Sequence, residues 1–212
     1  MTRRVTCPQH ALLEELGLEY VIKRYERDST GLAPKELLEV HPLGKSPVIT
    51  DGSITVAESG AIVEYLVGTY GNGRLIPPAS DAEARRRYTY WLHYAEGSVM
   101  PAVVLKLLFT KMVSGSPWLL RPLVGMIAGA VQSGYVDPQL KLHSDFIESE
   151  LAKREWFCGD EFTAPDVLMS FPVEGLAHYG SVGPKTKAYL ERLKARPAYK
   201  AALEKGGPLE ML

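Results

Sequence analysis

The feature that most limits how this chain folds is a change of pattern at Leu75-Ile76-Pro77-Pro78-Ala79. Adjacent prolines interrupt both helices and strands, and the sequence on their two sides has a different period. Upstream, short runs with the period of a strand alternate with helical ones; downstream, apolar residues recur at helical spacing to the end of the chain. This predicts an α/β unit over residues 1–76 followed by an all-α unit over residues 77–212. With 212 residues, both units have enough chain to bury a core.

In the first unit, Leu12, Leu13 and Leu16 form a helical stripe that Gly17 stops. Residues 20–25 alternate as a strand would, and residues 32–40 read as a helix. Residues 46–50 and 53–56 read as two strands joined by the turn Asp51-Gly52, with a helix over 61–70 behind them. A first strand has only residues 3–6 available before Pro8 opens a helix, so it is expected to be very short or absent.

In the second unit, Ser80 and Glu83 have the spacing of a capping box, which predicts a long helix from Asp81 with Tyr88, Trp91, Leu92 and Ala95 facing inward. Further helices are expected at 99–112, 118–132, 138–153, 165–179 and 184–205. The apolar stretch 122–140 is broken by Asp137, two prolines and several glycines, so it reads as a buried helix near a pocket and not as a membrane span.

Charge and cysteine usage narrow the function classes. The 24 Lys and Arg residues against 25 Asp and Glu give a net charge of −1, so there is no general pull toward nucleic acid or acidic lipid. Cys7 and Cys158 are far apart and outside any metal-ligand spacing, which implies neither a disulfide framework nor a metal site. No apolar leader precedes Cys7-Pro8, and a cytoplasmic location is the expectation.

Two places could carry chemistry. In His41-Pro42-Leu43-Gly44-Lys45-Ser46-Pro47-Val48, a proline at the start of a strand leaves the preceding backbone open to a ligand; an ordinary turn is the alternative. In Ala57-Glu58-Ser59-Gly60-Ala61, an acid and a hydroxyl precede a helix. Ser59 as N-cap is one reading; an amino-acid-like ligand, with its carboxylate on the helix start and its ammonium on Glu58, is the other.

These runs, together with Leu12-Leu13-Glu14-Glu15-Leu16-Gly17-Leu18-Glu19-Tyr20, resemble the glutathione-binding domain of cytosolic glutathione transferases. Trp91-Leu92-His93-Tyr94-Ala95-Glu96-Gly97-Ser98 and Phe157-Cys158-Gly159-Asp160-Glu161-Phe162-Thr163-Ala164-Pro165-Asp166 resemble that family's helical domain in its yeast-type fungal and bacterial branch. The resemblance implies a thioredoxin-like domain followed by an all-α domain, glutathione as co-substrate, and a homodimer with the long helix from Asp81 across the two-fold axis. It implies that Glu58 and Ser59 hold the γ-glutamyl group, that a cis Ser46-Pro47 peptide pairs with the cysteinyl part, and that Lys45 and His41 face the glycyl carboxylate. It also implies that Thr163 and Asp166 form the N-capping box of a core helix.

The start of the chain departs from the family, which carries a sulfur-activating Ser, Tyr or Cys just after the first strand. Here Arg4-Val5-Thr6-Cys7-Pro8 occupies a shortened version of that region. Either Cys7 acts at a helix start that lowers a thiol pKa, or the catalytic strand is lost and Cys7 is an ordinary small residue; Thr6 is a candidate hydroxyl donor in its own right. Cys158 is expected to be buried and inert. Tyr94, Met100, Val104 and Phe109 are candidates for a hydrophobic substrate pocket, with core packing as the alternative. The implied activity is addition of the glutathione thiolate to a small hydrophobic electrophile, in detoxification or secondary metabolism. A glutathione-dependent isomerase or lyase and a non-catalytic transferase-like binder are the alternatives.

Overall fold

The structure is a computed structural model that describes residues 8–26, 33–180 and 182–207. Its first part contains α1 (Pro8–Leu16), α2 (Lys35–Val40), β1 (Val48–Asp51), β2 (Ile54–Ala57) and α3 (Ser59–Tyr70). The two strands pair antiparallel, with Val48 opposite Ala57 and Asp51 opposite Ile54, around a turn in which Gly52 takes φ 57°. Asp51 ties this hairpin to α3, accepting from Tyr65 Oη at 2.7 Å and from Tyr70 Oη. Those two hydroxyls hold the Asp51 carboxyl below its usual range, and the same bond pushes the Tyr65 phenol up to about 12.

Residues 20–25 are not a strand. With residues 46–51 they line a cavity of about 920 Å³. The expected strand at residues 3–6, and the candidate residues Thr6 and Cys7, lie outside the described residues.

The second part is helical. Helix α4 (Ala82–Tyr94), a π-helical turn (Ala95–Val99) and α5 (Met100–Gly115) run on without a break, followed by α6 (Arg121–Val131), a second π turn (Gln132–Val136) and α7 (Asp137–Leu151). After these come α8 (Ala164–His178), α9 (Pro184–Ala195) and α10 (Pro197–Gly206). The start of α4 falls one residue later than expected: Asp81, not Ser80, is the N-cap, and its carboxylate accepts from the Ala84 amide at 2.9 Å. The single helix expected over 184–205 is two, because Pro197 lacks the N–H that would continue α9.

One core joins both parts. Leu12, Ile62 and Val63 from the first pack with Trp91, Leu168, Met169 and Leu176 from the second. Helix α8 is buried along most of its length, and its N-terminus is closed by the Thr163–Asp166 capping box. The Asp166 carboxylate accepts from Thr163 N, Thr163 Oγ1 and Phe157 N, each at 2.9 Å. Burial pushes Asp166 up to about 6, and these three donors oppose the rise. Burial likewise pushes the Cys158 thiol up to about 12, so it stays protonated at neutral pH and is a poor nucleophile.

The stretch 122–140 is not the buried helix its sequence predicts. Along α6 only Ala128 is buried. The run Ala82–Gly115 is long and apolar enough, by length and composition, to cross a membrane, but Trp91, Leu92, Val99 and Val103 within it belong to the core.

Candidate functional site

The register of the β1–β2 hairpin builds the site. Because Val48 lies opposite Ala57, the residues just before β1 and just after β2 come side by side. This places Ser46 and Pro47, joined by a cis peptide, beside Glu58 and Ser59. Gly44, at φ 56°, lets the preceding loop pass close to α2: a Cβ there would come within 2.6 Å of Ala33 Cβ and 2.8 Å of Leu38 Cδ2. Lys45 next to it is exposed, with no ion pair among the described residues. His41 ends α2, and its Nδ1 accepts from the Leu43 amide at 3.4 Å.

At the junction of β2 and α3, Glu58 adopts φ 74° and ψ 126°. A non-glycine residue held there costs about 1–3 kcal/mol, and such strain clusters at binding sites. Glu58 is the N-cap by backbone, its carbonyl accepting from Ile62 N at 2.9 Å, while no side chain caps the helix. Ser59 is therefore the first helical residue and not the N-cap its sequence position allowed. The first amides of α3 point outward with a positive helix end behind them, next to the exposed carboxylate of Glu58. Chemically, that arrangement offers donors to a carboxylate and an acceptor to an ammonium at the same time.

Sequence reasoning gave no role to Glu96, yet it belongs here. It sits in the π-helical turn Ala95–Val99, a distortion that re-aims side chains and is frequent at functional sites. Glu96 is exposed as a residue, but burial at its carboxyl end, where it faces Ser59 and Glu58, raises the carboxyl above its ordinary range; the Ser59 hydroxyl opposes the rise, and the like charge of Glu58 adds to it. Two carboxylates and one hydroxyl thus converge at the start of α3. The one available signal was that Glu96 lies in a run quoted for its resemblance, next to a helix-weakening Gly97.

The four pocket candidates differ in burial. Tyr94 is a core residue: it is buried, its ring packs on Trp91 at 5.1 Å and Phe146 at 5.6 Å, and its hydroxyl bonds His143 Nδ1 at 2.7 Å. Phe109 packs against the same core, Met100 is half-buried, and Val104 is exposed. None of the four borders the large cavity, whose wall includes Ser46 and Pro47 together with Gln9 and His10 of α1. Gln9 is buried, and among the described residues neither of its side-chain amide atoms nor His10 Nδ1 has a partner. Burial holds the His10 imidazole below its usual pKa, so it is neutral at pH 7.

Residues 2–68 match the family described as "Glutathione S-transferase, N-terminal domain". Over 197 residues the chain is 35% identical to "Glutathione S-transferase 3" of Schizosaccharomyces pombe, covering 92% of this chain and 81% of the relative. The chain belongs to the glutathione S-transferase family. It is also 30% identical to "Glutathione S-transferase 1" of Saccharomyces cerevisiae over 93% of this chain and 89% of the relative. Among solved structures, a glutathione S-transferase from Actinobacillus pleuropneumoniae superposes with a TM-score of 0.70 at 31% identity, covering 97% of this chain and 92% of that one. The thioredoxin-like first part with its small sheet and the helical second part are thus the two domains of this family's fold.

Proposed function

We propose that the protein binds glutathione at the start of α3 and transfers it to a small hydrophobic electrophile. The observation that carries this reading is the open helix start at Glu58-Ser59, uncapped by any side chain and flanked by Glu96. The γ-glutamyl carboxylate takes the first amides of α3 and the Ser59 hydroxyl, and Glu58 and Glu96 take the ammonium. The backbone before Pro47 pairs with the cysteinyl unit, and Lys45 with His41 faces the glycyl carboxylate. In the transfer itself, the thiol gives its proton to solvent or to a residue near the start of α1. The thiolate then forms a carbon–sulfur bond, and for an activated aryl halide the halide departs. Thr6 and Cys7 remain the proposed residues nearest the sulfur. Residues 1–76 and 77–212 serve as the glutathione and electrophile domains of a cytoplasmic homodimer paired across α4.

A second reading rests on the sequence: Glu58 and Ser59 keep the γ-glutamyl pattern, while Arg4-Val5-Thr6-Cys7-Pro8 departs from the family's catalytic turn. Such a chain holds the γ-glutamyl end and leaves the sulfur unactivated, giving a binder without catalysis. Calorimetric titration with glutathione tests the site: the wild type is expected to bind and Ser59→Ala to lose about tenfold in affinity. Equal affinity of the two removes the site from α3. Turnover of an activated aryl halide then separates the two readings, since only the transferase releases halide.

A further inference from the structure

The hairpin of α5 and α6 carries most of the large apolar side chains exposed among the described residues. At its tip Trp118 is 80% exposed and Leu119 71%, and Met126 on α6 is 67% exposed, with Leu120, Leu123 and Ile127 beside them. A contiguous apolar surface of this kind on a folded protein marks a place where something docks.

Three observations say what docks there. First, residues 101–136 contain no Asp or Glu, although the whole chain has a net charge of −1; the charges in this stretch are Lys106, Lys111 and Arg121. Lys106 is paired with Asp137 at 2.6 Å, which leaves Lys111 and Arg121 as exposed cations beside the apolar tip. Second, the polar groups of the hairpin bond to its own backbone. Thr110, Ser114 and Ser116 donate to the carbonyls of Lys106, Lys111 and Met112, and Arg121 Nη2 donates to the carbonyls of Ser114 and Ser116. Docking of this face therefore leaves none of these hydroxyls without a partner. Third, a tryptophan and two leucines lead the tip with basic residues behind them, which is the order in which a bilayer interface takes up side chains.

We propose that the α5–α6 hairpin docks on the surface of an anionic lipid bilayer, with Trp118, Leu119 and Leu120 entering the headgroup region and Lys111 and Arg121 meeting the phosphates. The contact is peripheral. Val104, Leu108 and Met112 on α5 are also exposed and extend the same surface. The neutral balance of the whole chain hides this segment, because the compensating carboxylates lie elsewhere.

The test is flotation of the full chain with vesicles of equimolar phosphatidylcholine and phosphatidylserine, and with phosphatidylcholine alone. Trp91 and Trp156 are buried, so a blue shift of emission on binding reports Trp118. The wild type is expected to float with the anionic vesicles and to shift its emission. The double variant Trp118→Asp with Leu119→Asp is expected to lose about tenfold or more in partitioning, with unchanged circular dichroism. Lys111→Glu is expected to weaken binding to the anionic vesicles and to reduce its salt dependence. Wild type that stays in solution with both vesicle types overturns the proposal; if the double variant then also falls to half the wild-type mass in light scattering, a second copy covers this face. Flotation of wild type and double variant to equal extents overturns it as well, because the contact is then made elsewhere.

Discussion

Two helix starts in this molecule use similar residues to opposite ends. At α8 an acid three residues into the motif takes Phe157 N, Thr163 N and Thr163 Oγ1, so that a fully buried junction leaves its donors satisfied. At α3 an acid and a hydroxyl also precede apolar turns, but Glu58 turns its carboxylate outward at φ 74° and no side chain caps the helix. The first start is closed and contributes stability. The second is open, costs backbone strain, and leaves polar groups for a ligand. Local sequence chemistry is alike at the two sites; burial decides which role it serves.

The comparison is most strongly broken at α8. Asp166→Ala leaves three buried donors without an acceptor and is expected to cost on the order of 3 kcal/mol or more in urea unfolding, while the protein that remains folded keeps its affinity for glutathione. The next largest effect belongs to α3. Because Ser59 is not the cap, Ser59→Ala is expected to change unfolding by under about 0.5 kcal/mol while glutathione affinity in calorimetry falls about tenfold. A capping role would show the reverse. Smaller still, Glu58→Gly relieves the positive φ and is expected to gain up to about 1 kcal/mol of stability with weaker glutathione binding, so that the two properties move in opposite directions at one residue.

The smallest expected effect is a pH dependence. Burial raises the Glu96 carboxyl, and the neighbouring charge of Glu58 adds to that. As pH falls through a raised carboxyl pKa the negative charge is lost, so attraction for the ligand ammonium weakens at a pH where an unperturbed glutamate is still ionised. Glutathione affinity is therefore expected to decline on acidification before pH reaches the ordinary glutamate value, and Glu96→Gln to flatten that decline. A profile unchanged by Glu96→Gln removes Glu96 from the site.

What the sequence revealed tracks how local each feature is. The capping box at Thr163 and Asp166, the turn at Asp51-Gly52 and the break at Pro77-Pro78 are set by residues close to one another, and all were legible. The strand at 20–25 was not, because alternation supplies a face but not a neighbour, and strand pairing is a long-range event. At α4 the choice between Ser80 and Asp81 depended on which side chain reached Ala84 N, a matter of geometry. An aromatic on an apolar face, such as Tyr94, fits either a wall or a core, and its bond to His143, 49 positions away, is a meeting that no local pattern contains. Glu96 joins Ser59 across the two domains, and no local pattern contains that meeting.

The ion pairs at α1 have a consequence for synthesis. Glu15 is held by Arg196 through Nε at 2.5 Å and Nη2 at 2.9 Å, and Glu14 by Lys205 at 2.5 Å, while α1 lies against α10. The first described helix is thus completed by Arg196, 181 positions further along the chain, and by Lys205. Until they emerge, the apolar stripe of Leu12 and Leu16 has no permanent cover, and the nascent N-terminal domain must wait, exposed to chaperones and to premature association. Loss of α10 would therefore be felt at α1.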